Sequence, residues 1–555
     1  MKRLPVILVV GLLALAVAIP LAGLGDASGR GGASPSVGAG NAATSVPTAS
    51  DGKTTASEST STPGAAGSPA AEPSATPAAP TELADVAIVP VTQFRTTATS
   101  ATATTVAEVL AGTSKRYDAL ELVESEADAI LAALGVERPA DAARLVLVKD
   151  ASTLTKDLAK HRKRLAFLRA DEVTPAVRAL AWGKTALFGS SRVRALADWP
   201  LAARLPAPAE GDGFDPDGLW TLFAGGDIML DRGVAQTLKI KGKGVDFPFD
   251  GGTAEITGHC KDCSPLGWDT PYTRRTGGAG AMRRLVEKAD LAIANFENPA
   301  PDRFRYHTSG TVFSADPKLI KGLATAGIDW VGLANNHIRD AGGAGILQTI
   351  ENLDDYGIKS GGAGKDLTAA RKPSILEAGG TKVAILAYDT IARYYTAGED
   401  RAGSARLTAK VVKADVKKAR DAGAGLVIVF PHWGTEYDPT PFGGQRKLAE
   451  AAIDAGADMV IGNHAHWAGA VQVYKGKPIW YALGNFVFDQ TWSEPTMEGI
   501  TLELTFRGST LVQARMRPHI ILDKAQPNLL DVAGDGRIVM GQIWQGSDAL
   551  DLLPW

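Results

Sequence analysis

Five apolar runs in this chain each end in side chains able to hold a metal ion. Thr221-Leu222-Phe223-Ala224-Gly225-Gly226 leads into Asp227, and Leu291-Ala292-Ile293-Ala294-Asn295-Phe296 leads into Glu297. Val331-Gly332-Leu333-Ala334-Asn335 ends in Asn336 and His337, and Leu426-Val427-Ile428-Val429-Phe430-Pro431 ends in His432. The fifth, Met459-Val460-Ile461-Gly462-Asn463, delivers His464 and His466. Carboxylate, amide oxygen and neutral imidazole in one set suit Mn, Fe or Zn, whereas Ca and Mg take mostly oxygen. His464 and His466 stand two apart, so an extended segment would turn both rings to one face.

These side chains need a scaffold that brings distant segments together. A run of four to six apolar residues bounded by Gly or Asn reads as a buried, parallel strand. In open α/β sheets, ligands bind just beyond the carboxyl ends of such strands. Amphipathic spacing predicts covering helices over Ala409–Ala422 and Gln445–Asp454. Alternation in Leu502-Glu503-Leu504-Thr505-Phe506 predicts a terminal strand pair turning at Arg507-Gly508.

A chain of 555 residues exceeds a single core. Its formal charge of −3 is nearly balanced, which gives no electrostatic case for nucleic acid or an anionic membrane surface. Cys260 and Cys263, in His259-Cys260-Lys261-Asp262-Cys263, are open to three readings: a redox pair, half of a metal site, or a loop staple.

The start, Met1-Lys2-Arg3 followed by an apolar stretch from Val6 to Leu24, has the plan of an export signal or an uncleaved signal anchor over residues 1–25. Either way the remainder crosses the membrane, so an extracytoplasmic protein, membrane-anchored or secreted, is expected. Residues 26–80, rich in Gly, Ala, Ser, Thr and Pro, read as a disordered tether. Residues 81–206 alternate strand and helix patterns, as in Ala87–Val91, Thr105–Leu110 and Leu145–Val148, and form a small α/β domain. Its order resembles part of a periplasmic solute-binding domain, and Pro206-Ala207-Pro208 with Gly211 and Gly213 reads as its exit linker.

Downstream, Gly226-Asp227-Ile228-Met229-Leu230-Asp231-Arg232, Asn295-Phe296-Glu297-Asn298-Pro299, Ala334-Asn335-Asn336-His337, His432-Trp433-Gly434-Thr435-Glu436-Tyr437, Gly462-Asn463-His464-Ala465-His466 and Leu483-Gly484-Asn485-Phe486-Val487-Phe488 occur in order. Together they resemble the capsule synthesis protein CapA family, associated with poly-γ-glutamate capsules and similar to calcineurin-like metallophosphoesterases. The resemblance covers roughly residues 220–490. It implies a four-layer α/β/β/α sandwich over 218–500, followed by a strand extension over 501–555.

Carried over by position, Glu297 takes the place of the carboxylate bridging two metals. Asn336, His432 and His464 complete one shell, Asp227 and His466 belong to the other, and His337 stands beside the substrate to protonate the leaving group. Two departures count: Met229 occupies a position where the phosphoesterase pattern has His, and Glu297 replaces Asp. One or two divalent ions (Mn, Fe or Zn) are therefore expected. Arg232 and Arg339 adjoin ligand positions as clamps for a carboxylate or phosphate, or else as ion-pair partners of Asp231 and Asp340. Glu436 is a candidate support for His432, and Trp433 and Trp467 are wall or core residues. Asn485, at the end of the run Trp480-Tyr481-Ala482-Leu483, is a candidate to orient a neighbouring loop. His161, His307 and His519 read as structural.

The expected function is cell-envelope polymer biosynthesis or export of the poly-γ-glutamate type, with a metal-dependent hydrolase site. An anionic polymer or a phosphate-containing substrate, and a membrane polymer synthase or export complex, are the expected partners. Two alternatives stay open: a surface metallophosphoesterase, or a non-catalytic polymer-binding assembly factor with a vestigial site.

Overall fold

The computed structural model describes residues 82–208 and 213–550. The expected membrane segment and tether lie outside the described residues. Among the described residues, no helix is long and apolar enough to cross a membrane. They belong to one compact unit, Ala79–Trp555, containing three principal sheets.

In the first sheet, Leu83–Gln93 pairs antiparallel with Arg164–Arg169, Val177–Ala179 and Ala202–Pro206. Ala119–Val123 joins in parallel between Arg164–Arg169 and Leu145–Val148. The helices Ala103–Leu110 and Ala127–Leu134 pack Val106, Val109, Ile130 and Leu131 into the core of this sheet.

The second sheet runs Thr270–Gly277, Thr253–Cys260, Gln526–Leu530, Thr510–Leu522, Glu498–Arg507, Leu219–Ile228, Leu291–Phe296, Trp330–Gly332, Lys359–Gly361. Asn485–Val487 also pairs in parallel with Leu219–Ile228. The third runs Ser374–Ala378, Thr381–Asp389, Leu426–His432, Met459–Ile461, Lys477–Trp480, Val471–Tyr474.

These two sheets pack face to face. Leu222, Ile293 and Trp330 of one share a core with Ile385, Ile428 and Ile461 of the other. Neighbouring residues point outward: Phe223, Ala292 and Val331 meet Leu323 of helix Ile320–Ala326 and Ile346 and Leu353 of helix Gly342–Asp355. On the far side, Val427 and Val429 meet Val412 and Val416 of Ala409–Asp421 and Ala449 and Ile453 of Gly443–Asp454. The result is helix, sheet, sheet, helix. Strands covered on both faces must be apolar throughout, which is why the ligand-bearing runs do not alternate. Truncating one such residue, Ile428→Ala, is expected to cost about 2–5 kcal/mol.

Glu498–Arg507 lies between Leu219–Ile228 and Thr510–Leu522, with Leu504 opposite Leu222. Residues beyond 500 thus continue the central sheet. The first sheet is tied to it by Gln513, whose side chain accepts from Ala179 N (3.3 Å) and donates to Ala179 O (3.0 Å).

Candidate metal centre

Two glycines let the ligand strands close on each other. A Cβ at Gly226 would stand 1.9 Å from Gly484 O, and one at Gly462 would stand 2.2 Å from Tyr481 O. Asp227, Glu297, Asn336, His337, His432, His464 and His466 all meet at the ends of these parallel strands. Two groups emerge, Glu297 with His432 and His464, and Asp227 with Glu297 and His466, each with potential ligand atoms within 4.8 Å of one another.

Glu297 is common to both. Its Oε1 lies 3.6 Å from His432 Nε2, 3.8 Å from His466 Nε2 and 3.9 Å from His337 Nε2. It has no solvent exposure, and neither carboxylate oxygen receives a hydrogen bond. Asn336 Oδ1 joins the first group at 2.7 Å from His432 Nε2, and His464 Nδ1 lies 3.0 Å from that nitrogen. Asp227 accepts from Asn295 Nδ2 (2.7 Å) and from His464 N (3.1 Å).

Burial dominates the electrostatics. It raises Asp227 to about 7, against the hydrogen bonds from Asn295 and His464. Burial and then the charge of Asp227 push Glu297 well above the usual carboxylate range. Burial and the neighbouring histidines hold His432 and His464 well below the usual imidazole range. His466 falls to about 3, chiefly by burial. Neutral imidazoles beside a Glu297 carboxylate that lacks donors form an arrangement that a divalent cation would compensate.

Hydrogen bonds orient two rings. Asn485 spends its amide N–H groups on Gln490 Oε1 (2.9 Å) and Thr496 O (2.8 Å), so its Oδ1 accepts from His466 Nδ1 at 2.9 Å. That leaves His466 Nε2 as the lone-pair nitrogen facing Glu297. His519 Nε2 in turn contacts Asn485 O at 2.8 Å, in keeping with a structural role. His337 Nδ1 donates to Asp340 Oδ2 (2.9 Å), which turns Nε2 toward the site, and its ring packs 4.2 Å from that of Phe313.

The segment carrying His464 and His466 is not extended. Both have positive φ, 93° and 57°, so the rings reach one site through a bend and not by strand alternation. Arg232 and Tyr437 share this conformation. These four are half of the eight non-glycine positive-φ residues described, which concentrates backbone strain at the centre.

The two arginines differ. Arg232 pairs with Asp489 and donates to Gly310 O (2.7 Å), beneath the rings of Phe313 and Phe488. Asp231 pairs instead with His307, so the ion pair anticipated between neighbours goes elsewhere. Asp340 is taken by His337, Tyr395 and the amide of Phe313. Arg339 has no carboxylate partner among the described residues, and its Nε is buried without an acceptor. Glu436 is exposed and makes no described bond to His432. Trp433 is core, its Nε1 donating to Tyr481 O (2.9 Å). Trp467 lies near Tyr437 and Trp268. Cys260 and Cys263 form a disulfide at the tip of the hairpin made by Thr253–Cys260 and Thr270–Gly277.

Asn485, expected to orient a loop, orients the His466 ring. Its place at the end of an apolar run is the signal it shares with the candidate ligands. Asp489, the partner of Arg232, carries the same mark, directly after Phe486-Val487-Phe488.

Comparison with known proteins completes the description. The family model "Bacterial capsule synthesis protein PGA_cap" matches residues 221–490. The chain is 33% identical over 254 residues to the capsule biosynthesis protein CapA of Bacillus anthracis, covering 44% of this chain and 59% of that protein. It is 32% identical over 250 residues to the PGA biosynthesis protein CapA of Bacillus subtilis (strain 168), covering 44% and 63%. The chain thus spans about three-fifths of the length of these relatives. Among solved structures, a 5'-nucleotidase precursor from Thermus thermophilus aligns at 13% identity and a TM-score of 0.32, over 55% of this chain and 54% of that one.

Proposed function

We propose, from the match of residues 221–490 to the bacterial capsule synthesis protein family, an extracytoplasmic, metal-dependent hydrolase serving assembly of an anionic cell-envelope polymer. The observation that supports it best is Glu297, fully buried with two oxygens lacking donors among three imidazoles, Asn336 and Asp227.

In this reading Glu297 is shared between two positions. Asn336, His432 and His464 would hold one cation, and Asp227 and His466 would hold the other. A divalent transition metal bound there supplies Lewis-acid polarisation of the scissile group. His337, fixed by Asp340, carries at Nε2 the proton for the leaving group. Arg339 is the free guanidinium for a substrate carboxylate or phosphate, and Arg232 contributes positive charge while held by Asp489.

Met229 supports a weaker second position. Its side chain lies in the outer core and its sulfur accepts from Asp231 N at 3.0 Å, so that group retains three protein ligands. A non-catalytic assembly factor, binding a polymer end at this centre in contact with a membrane synthase, is the reading this feature favours.

Metal analysis of the full chain, purified without chelator or affinity histidines, tests the proposal. Absence of any transition metal, with a melting temperature indifferent to Mn and Zn, would sink it. Turnover of aryl phosphate mono- and diesters or γ-linked glutamate oligomers then separates hydrolase from assembly factor. Polymer production retained in a His337→Ala, His466→Ala double variant favours the assembly factor.

A further inference from the structure

A second charged cavity opens where the first sheet meets the terminal strands. Its volume is about 510 Å³, within the range of small-ligand sites. Three arginines line it: Arg178 from Val177–Ala179, and Arg515 and Arg517 from Thr510–Leu522. Thr99 and Ser100 add hydroxyls, and Asp531 stands at the same wall.

The nearest buried carboxylate is already committed. Glu503 accepts from Ser190 N (2.7 Å) and Ser190 Oγ (2.9 Å) with one oxygen. Its other oxygen takes Arg517 Nε at 3.0 Å and faces Arg515 Nη1 at 3.9 Å. Asp531 Oδ1 accepts from Ala533 N at 3.0 Å. Arg178 is left over. It has no ion pair among the described residues, its Nε is buried without an acceptor, and its neighbour is the ring of Phe94, 5.7 Å from Cζ.

Burial, then the like charges of Arg515 and Arg517, lower the Arg178 guanidinium to about 9, with Glu503 opposing. The group stays charged at neutral pH. A charge held beside two others without a partner lowers stability unless something occupies the cavity.

We propose that this cavity binds a small multivalent oxyanion, a carboxylate or a phosphate, gripped by Arg178 together with Arg515. Planar guanidinium forks match both chemistries, and Glu503 with Asp531 still leaves the three guanidiniums one positive charge in excess. The site lies on other strands than the metal centre and does not depend on the function assigned there.

Isothermal titration of the full chain with glutarate and with inorganic phosphate, each against a chloride blank of equal ionic strength, reads the site. Saturable binding to the parent is expected, reduced at least about tenfold in Arg178→Gln and unchanged in His337→Ala. The tighter of the two probes identifies the chemistry. The anion-free melting temperature of Arg178→Gln should equal or exceed the parent's, because an uncompensated charge is removed. Should that variant fail to fold, Arg515→Gln locates the site with the same expected loss. Absence of saturable binding to the parent, or full binding retained in the folded arginine variants, overturns the proposal.

Discussion

Replacing Glu297 by glutamine separates a metal-holding carboxylate from one that merely packs. In the metal-free protein this carboxyl is fully buried and receives no donor, and burial and then Asp227 push it well above its usual range, which favours its neutral form. Glutamine then exchanges one neutral polar group for another of equal size, and the cost should stay within about 1 kcal/mol. A cation at 100 times its dissociation constant stabilises the parent by about 2.7 kcal/mol. For a body of roughly 470 residues, at about 2.1 cal/mol/K each, the unfolding entropy is about 1 kcal/mol/K. Saturating Mn or Zn should therefore raise the parent's melting temperature by about 3 °C. Without metal the two proteins should melt within about 1 °C of each other, and with metal only the parent should rise. Scanning fluorimetry with and without metal reads the shift, and elemental analysis counts the ions. Asp227→Asn should lose less metal, since Asn336, His432, His464 and Glu297 remain. Equal metal content in parent and Glu297→Gln would refute the shared-ligand reasoning.

Asp340→Asn should leave metal content unchanged and lower turnover, and His337→Ala should abolish turnover with metal retained. An emptied site in either variant, by elemental analysis, contradicts the separation of proton transfer from coordination. Asn485→Ala frees His466 Nδ1 and should weaken metal affinity by about 10- to 100-fold, measured by chelator competition. In the first sheet, burial and then Asp157 raise Glu121 to about 7 from 4.5, with Arg164 opposing. The folded state thus binds more protons than the unfolded chain between those values. Stability should fall as pH rises from about 4.5 to about 7, by at most about 3 kcal/mol. Melting curves of Glu121→Gln should lack that component, and a pH profile parallel to the parent's would contradict the assignment. A Met229→His variant should gain no metal and lose stability, because residue 229 packs in the outer core.

The ligand-bearing ends were legible because each strand is covered on both faces. A continuous apolar run then has a clear last residue, and Asp227, Glu297 and His432 stand at or just past it. The helices Ala409–Asp421 and Gly443–Asp454 fall within two residues of their expected bounds, because residues three and four apart, such as Val412, Val416 and Ala419, share a face only when the segment is helical. What escaped was pairing across long separations. The partner of Arg232 is Asp489 and not its neighbour Asp231, and periodicity carries no information about that choice. Likewise, alternation across residues 502–506 announced a strand but not its seat beside Leu219–Ile228. The bend at His464 and His466 was missed because positive φ at histidine has no compositional marker.

The seat of that late strand bears on how the molecule is made. Leu219–Ile228 carries Asp227 and emerges before the other ligands, yet one of its flanks waits for Glu498–Arg507, nearly 280 residues later. Until then its residues 219–224 present bare amides and carbonyls on an apolar ribbon, because Asn485–Val487 covers only Asp227 and Ile228, and such an edge recruits other chains. A polypeptide cut at residue 490, where the family likeness ends, contains the candidate ligands and would keep that edge open for good. The ligands and the means of closing the sheet around them are thus encoded in different parts of the chain, and a nascent chain must be guarded until its last strands arrive.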